Sequence, residues 1–371
     1  MKIVIDLTSL ADNFSGIERY TLNISKEMIK IDKKNQYILI FKNSVHPSFN
    51  SIKDRKNVEV KILYGEGRVF FSQIKLAKAL YKIKADRYLF LAFPGPILFR
   101  RRGIINAIHD LTAWDYPETM KFLSRIYFKA GILNAIRTSK NIITVSEFSK
   151  KGIMEKFNIN NIDIIYNGIS EVFIENKETM NDTKKSKVKK KYSLPDKYFM
   201  CLCTLEPRKN IELLIRAFLE LKQCNKIDEK LVLVGRKGWK IEKLLEEVND
   251  KYRNEIIVTG FVDDMDLPSI YSMAECFIFP SLYEGFGIPV IEAMYMNVPV
   301  ICSDSSSLPE VVNGNGILFK NNDKEDLKRR IIDFKNENDV ILSDFMIKAK
   351  NRAESFRWDK EARKLIDLLD V

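Results

Sequence analysis

SLYEGFGIPVIEAMYMNVPVICSD, residues 281–304, sets the reading of the whole chain. It follows a strand-like run, CFIFP (276–280), and packs Gly285, Gly287, Pro289 and the carboxylates Glu284 and Glu292 into a few positions. A plain turn needs one glycine and no carboxylate. A buried strand that ends here, a glycine loop, and a helix opening at Pro289 make a different unit. Glycines let the backbone approach a ligand closely. The new helix offers unpaired N–H groups and a positive dipole end, which suits a diphosphate. Carboxylates are good acceptors for vicinal hydroxyls, so one glutamate can hold a ribose and the other a second sugar. The bland alternative is a tight strand-to-helix turn with both glutamates solvated.

Working outward, the same strand–helix alternation recurs. The first half carries apolar runs at 2–6, 37–41, 58–64, 88–93, 104–110, 142–146 and 162–168, with amphipathic stretches at 17–31, 71–82 and 121–139 between them. Continuous β-branched runs between helices predict a parallel sheet covered on both faces. The pattern restarts with strands expected at 198–204, 230–235, 255–261, 276–280 and 298–303. Helices are expected near 210–223, 239–250, 265–274, 288–296 and 323–335. The fold class is therefore α/β, with two doubly wound Rossmann-like domains. Domain 1–176 is followed by a lysine-rich linker at 177–197, a second domain at 198–350 and a C-terminal helix at 351–371 that crosses back to the first. Each domain binds ligand at the carboxyl ends of its strands. If the two face each other, those ends form one central cleft.

Composition bounds the function. Residues 1–176 hold 28 Lys+Arg against 17 Asp+Glu, residues 177–197 hold 8 against 3, and residues 198–371 hold 25 against 30. The first half therefore faces something anionic. No apolar run approaches the ~18 residues of a membrane span, and MKIVIDLTSLADNF reads as a first strand rather than a signal peptide. The five cysteines read as reduced thiols, mostly buried, and Cys201 and Cys203 lack CxxC spacing. Two histidines in the whole chain exclude a His-rich metal site. Asp264 and Asp266 have the spacing of a metal-binding pair, but they precede LPSIYSMA, where a helix-capping role suffices. A cytoplasmic protein is expected.

LEPRKN (205–210) puts Arg208 and Lys209 just past a strand, where neighbouring cations clamp a diphosphate leaving group. With it, TVSEFSK (144–150), YNGI (166–169), VTGFVDD (258–264) and PSLYEGFGIPVIEAM (280–294) complete a set. On these five motifs the chain resembles glycosyltransferase family 4, the retaining enzymes of GT-B architecture. The resemblance implies that Glu292 holds the nucleotide ribose. It implies that Glu284, Gly285, Phe286, Gly287 and Ile288 meet the donor sugar and its phosphates. Arg208 and Lys209 neutralise the diphosphate. Gly16 belongs to a first-domain glycine loop, Ser15-Gly16, near the phosphates. His109, in AIHDLTAWDYPE, sits near the sugar, with Asp110 placed to orient it. Backbone near Gly235 and Val262 holds the base. Thr204 departs from the family, which often has a basic residue there.

The implied activity is hexosyl transfer from a nucleotide-diphosphate sugar, without a cofactor or metal, to a glycan or lipid-linked acceptor in surface polysaccharide or O-antigen assembly. VGRKGW (234–239) resembles members that use GDP-mannose or dTDP-rhamnose. Lys121, Arg125 and Lys129 recur every four residues on an expected helix, and with Arg100, Arg101 and Arg102 they suggest docking on the inner face of an anionic membrane. A nicotinamide-dependent oxidoreductase would need G-x-G-x-x-G after an early strand, which DLTSLADNFSGIERY does not supply. A basic nucleic-acid binder, suggested by a pI near 9.2, would have no use for a donor pocket. No nucleic-acid partner is expected.

Overall fold

The structure, a computed structural model, describes residues 1–10, 16–67, 69–238 and 241–370. Two compact units emerge: Met1–Gly168 with Arg357–Val371, and Ile169–Phe356.

The first unit is built on seven parallel strands: β1 (Lys2–Asp6), β2 (Gln36–Lys42), β3 (Val58–Leu63), β4 (Arg87–Phe90), β5 (Ile104–Ala107), β6 (Asn141–Thr144) and β7 (Ile162–Ile164). Their order across the sheet is β3-β2-β1-β4-β5-β6-β7. β1 is the pivot: Ile3 pairs with Tyr37 on one side and Arg87 on the other. Central strands have no solvent face, so Ile3, Val4, Ile5, Leu39, Ile40, Leu89, Ile105 and Ile143 are all buried. At the edge, β3 reads VEVKIL, and its Glu59 and Lys61 blunt a strand with no further neighbour among the described residues. The helix Gly16–Ile31 covers the sheet with Tyr20, Leu22, Ile24, Met28 and Ile29.

The second unit repeats the plan with β8 (Tyr198–Leu202), β9 (Lys230–Val234), β10 (Ile256–Gly260), β11 (Cys276–Phe279), β12 (Val300–Ser303) and β13 (Ile317–Phe319). The order is β10-β9-β8-β11-β12-β13, again parallel throughout. Here β8 is the pivot, with β9 and β11 on its two sides. The short strand β13 is absent from the sequence expectation because its three residues give no readable alternation.

Two expectations need correction. Residues 177–197 are not a plain linker, since helices Glu171–Glu178 and Asp182–Lys191 occupy much of the stretch. Asn181 caps the second of them by accepting from the Lys184 N–H at 2.9 Å, and lysines 189–191 suit the negative end of its dipole. Val188 alone buries an apolar side chain from this helix, which is too little for a periodicity to show. The C-terminal helix expected at 351–371 runs instead over Trp358–Asp370, and a separate helix, Asp339–Glu354, precedes it. The reason is a pair of aromatic anchors. Phe356 sets its ring edge-on to Phe286 within the second unit, at 5.2 Å. Trp358 meets Tyr20 within the first, at 5.7 Å. Helix Trp358–Asp370 packs on helix Gly16–Ile31, and Gly168 leaves no room for a side chain, since a Cβ there would lie 2.6 Å from the Trp358 nitrogen. The chain thus passes between units at 168/169 and 356/357, not at 176, 198 and 350.

Four cysteines are buried, Cys224 is exposed, and all are free thiols. Among the described residues no helix is long and apolar enough to cross a membrane.

Candidate active site

In the second unit, the loops after β8 and β11 flank the point where strand order turns, which is where open α/β sheets hold ligands. The loop after β8 tightens into a single 3-10 turn, Pro207–Lys209, which Asn210 closes in the left-handed region at φ 53°. The loop after β11 runs into helix Ile288–Tyr295, with Gly287 at its N-cap and φ 108°. A side chain at Gly287 would be strained by that φ and would also meet Leu308 at 2.8 Å.

These turns bring three sequence-predicted residues together, Arg208, Lys209 and Glu284. Lys209 Nζ donates to Glu284 Oε1 at 2.5 Å. Arg208 Nη1 donates to the Tyr283 carbonyl at 2.6 Å and to Glu284 Oε2 at 3.3 Å, while Nη2 reaches Glu206 Oε1 at 3.1 Å. Ser281 Oγ donates to Glu284 Oε1 at 2.6 Å, and the Glu284 N–H donates to Ser306 Oγ at 2.8 Å. Ser307 Oγ donates to the carbonyls of Glu284 and Phe286. Lys209 also sits 5.5 Å from the centre of the Phe279 ring. Both cations are therefore held in fixed geometry at the strand ends.

Glu292 is the fifth residue of its helix, only 2% exposed, with the Tyr271 hydroxyl 3.2 Å from its Oε2. Gly285 and Ile288 complete the turn. The Phe286 ring packs on Phe356. Gly235, at φ 135°, gives its N–H to the Gly260 carbonyl at 3.0 Å, and a Cβ there would sit 1.9 Å from the Cys203 carbonyl oxygen. Val262 is buried beside it in sequence to Phe261, whose exposed ring carries the Arg236 guanidinium at 5.0 Å.

Gly16 and His109 belong to the first unit. Gly16 opens the helix Gly16–Ile31, while Ser15 lies outside the described residues, as does Trp239 of VGRKGW. His109 Nε2 donates to the Leu91 carbonyl at 2.8 Å, and its ring stands edge-on to Tyr20 at 4.9 Å. Asp110 does not orient it through a hydrogen bond: its Oδ1 accepts the Thr112 N–H at 2.9 Å. Burial lowers the His109 pKa, against the opposing Leu91 carbonyl, Asp110 and Glu18, so the imidazole is neutral near pH 7. Asp266 occupies an N-cap position but makes no side-chain cap bond. Its carboxylate takes Lys191 at 2.7 Å and the Tyr192 hydroxyl at 2.9 Å. The same lysine binds Asp263 at 2.7 Å.

The sequence reading missed the residues that hold the cluster: Ser281, Ser306, Ser307, Glu206 and Tyr271. The run SDSSS (303–307) after β12 was the available signal.

Burial by itself would push the Glu284 carboxyl up. Lys209 and Arg208, with hydrogen bonds from Lys209 and Ser281, outweigh it and hold the group at about 2. An unfolded glutamate titrates near ~4.3. The depressed group therefore stabilises the fold above that pH, by up to about 3 kcal/mol, and the contribution is lost as pH falls through about 2. Urea denaturation should show it: wild-type stability relative to Glu284→Gln falls as pH drops from ~4.5 toward 2. A difference independent of pH would contradict the ion cluster.

Comparison with known proteins agrees with this geometry. The family model for group 1 glycosyl transferases matches residues 182–353. The chain is 28% identical to O-antigen chain mannosyltransferase B of Escherichia coli over 347 residues, 90% of each protein. It is 31% identical to an uncharacterized glycosyltransferase of Methanocaldococcus jannaschii over 273 residues, 71% of this chain and 67% of the relative. A crystal structure of Anabaena HepE with UDP and glucose superposes with a TM-score of 0.75 at 17% identity, covering 100% of this chain and 99% of that one. A GT-B fold, a pair of cations at a switch point, and these relatives lead to one conclusion: the chain belongs to the group 1 glycosyltransferases.

Proposed function

We propose that this glycosyltransferase moves a hexose, with mannose favoured, from a nucleotide-diphosphate sugar to a glycan or lipid-linked acceptor in O-antigen or related surface-polysaccharide assembly, with retention of anomeric configuration and without a metal. The observation that carries the reading is the Arg208–Lys209–Glu284 cluster at the β8/β11 switch point. Support for mannose comes from the relatives, which include O-antigen mannosyltransferases of Escherichia coli and Salmonella typhimurium.

The chemistry follows from charge. The diphosphate departs from the anomeric carbon, and negative charge grows on its oxygens. Arg208 and Lys209 are placed before the reaction starts, so their stabilisation costs no reorganisation. The positive end of helix Ile288–Tyr295 adds to it. Glu284 and Glu206 balance the two cations in the resting protein. The pair is thereby fixed without an uncompensated charge. Glu292, buried and oriented beside the Tyr271 hydroxyl, is an acceptor for the ribose hydroxyls. In the retaining scheme proposed here departure and attack share one face, and the leaving phosphate takes the acceptor's proton.

Steady-state kinetics with GDP-mannose test this. Glu292→Ala removes a contact made in ground and transition states alike, so donor KM rises most; Glu284→Ala acts at the transferring sugar, so kcat falls more. Excess EDTA leaves most of the rate. Equal small effects from both variants, or complete and metal-reversible loss in EDTA, would sink the assignment.

The first unit supports docking on an anionic membrane. Helix Phe122–Thr138 begins with Phe122 63%, Leu123 79% and Ile126 49% exposed. Interleaved with them, Arg125 lies 5.2 Å from the centre of the Phe122 ring and Lys129 5.3 Å from that of Trp114. Exposed apolar side chains among cations match an interfacial surface. Each basic residue there contributes ~1 kcal/mol near anionic lipid. Wild-type protein should sediment with anionic vesicles at low salt and less at high salt. Lys121, Arg125 and Lys129 changed together to Glu should abolish sedimentation with donor binding intact. Wild-type protein that ignores such vesicles would contradict the docking.

A further inference from the structure

One exposed apolar face of the second unit has no part in the donor chemistry. Helix Asp339–Glu354 packs one side on helix Ile288–Tyr295 and buries Ala349 and Ala353. Arg352 fixes its last turn: Nε donates to the Val311 carbonyl at 3.1 Å, Nη2 donates to the Glu310 carbonyl at 2.9 Å, and the guanidinium lies 4.5 Å from the centre of the Phe356 ring. The opposite side carries Val340, Ile341 and Ile347, which are 71%, 57% and 55% exposed. The helical repeat puts Val340, Asp344, Ile347 and Lys348 on one face, with Ile341 at its edge. A helix held this firmly presents a preformed surface, and covering its three apolar side chains is favourable.

Charge identifies the occupant. The helix carries Asp339, Asp344 and Glu354 against Lys348, Lys350 and Arg352, so it is neutral. Helix Phe122–Thr138, by contrast, carries Arg125, Lys129 and Arg137 and no acid. An anionic lipid surface attracts a basic helix, not a neutral one with a carboxylate on its exposed face. On the face of Asp339–Glu354 the carboxylate of Asp344 comes first and the cation of Lys348 follows one turn later, both exposed. The surface that complements this order is the same face running the other way. In an antiparallel pair crossing beside Ile347, Asp344 of each copy meets the partner's Lys348, twice by symmetry, with the two Ile347 side chains between the ion pairs. Val340 and Ile341 then reach over the end of the partner helix. A two-fold interface requires this self-complementarity, in which residue i meets j and j meets i. A parallel pair would set like charges against each other.

We propose that helix Asp339–Glu354 is a self-association surface: two copies of the chain dock through it, antiparallel about a two-fold axis beside Ile347, with Asp344 and Lys348 setting the register. The inference is independent of the glycosyl-transfer reading, since neither donor nor acceptor enters it. Exposed ion pairs add little strength, so the apolar side chains hold the dimer and the charges orient it. One helix pair is smaller than the ~1,200–2,000 Å² of a standard interface, which places the dissociation constant on the order of 10 μM.

Sedimentation velocity of the full chain between ~1 and ~100 μM tests this. The wild type should pass from a 43.2 kDa monomer to a dimer across that range. Asp344→Lys and Lys348→Glu should each weaken the dimer about tenfold, and the two together, which reverse both members of the pair, should return it to within about threefold of wild type. Ile347→Asn should leave a monomer. The melting midpoint, retained in each variant, checks folding. If a charge reversal does not fold, Asp344→Asn replaces it, with a loss of about threefold. A wild type that stays monomeric at ~100 μM, a dimer that Ile347→Asn leaves intact, or a double reversal no tighter than either single variant would each overturn the proposal. So would a monomer that binds anionic vesicles in wild-type form and loses them in Ile347→Asn, which would assign the face to lipid.

Discussion

The constraint on which the second unit's chemistry depends is the pairing of Glu284 with Lys209 and Arg208. A carboxylate only 8% exposed is costly unless it is paired and hydrogen-bonded. Here it meets two cations and the Ser281 hydroxyl, so the burial is tolerated and the geometry becomes single-valued. The two cations come from the loop after β8 and the carboxylate from the loop after β11, adjacent strands in the sheet. Fixing one loop therefore fixes the other, as the bond from the Leu282 N–H to the Arg208 carbonyl at 2.9 Å also shows.

The rest of the site hangs on that join. Gly287 can take φ 108° because no Cβ is present, and that conformation starts the helix which buries Glu292. Serines 303 and 305 reach the Ser281 carbonyl, and Ser307 reaches those of Glu284 and Phe286, so β12 supports the same loop from behind. These hydroxyls satisfy backbone groups that a buried loop would otherwise leave unpaired. The result is a pair of cations positioned by the fold rather than by ligand.

Much of this was legible in the sequence, for identifiable reasons. Parallel strands buried on both faces write themselves as unbroken apolar runs, so twelve of the thirteen strands among the described residues could be read, and Ile317–Phe319 was too short to register. Arg208, Lys209, Glu284, Gly287 and Glu292 stood out because charges and glycines next to strand ends are conspicuous. Their supports were hidden. Ser281 and Ser306 are ordinary residues whose roles depend on a return of the chain from another strand. Asp266 illustrates the opposite failure. Local sequence suggested a cap, and a lysine 75 positions earlier claimed its carboxylate instead. The helix Asp182–Lys191 was missed because caps and dipole, rather than an apolar face, define it.

The central claim is that cations supplied by the chain itself receive the diphosphate. Titration calorimetry of GDP into wild-type protein and Lys209→Gln, both in chelator, addresses it directly. The account predicts metal-free binding by the wild type and at least a tenfold loss in the variant, as expected when a charge-assisted contact is removed. Equal affinity of the two proteins, or binding that requires an added divalent cation, would contradict it.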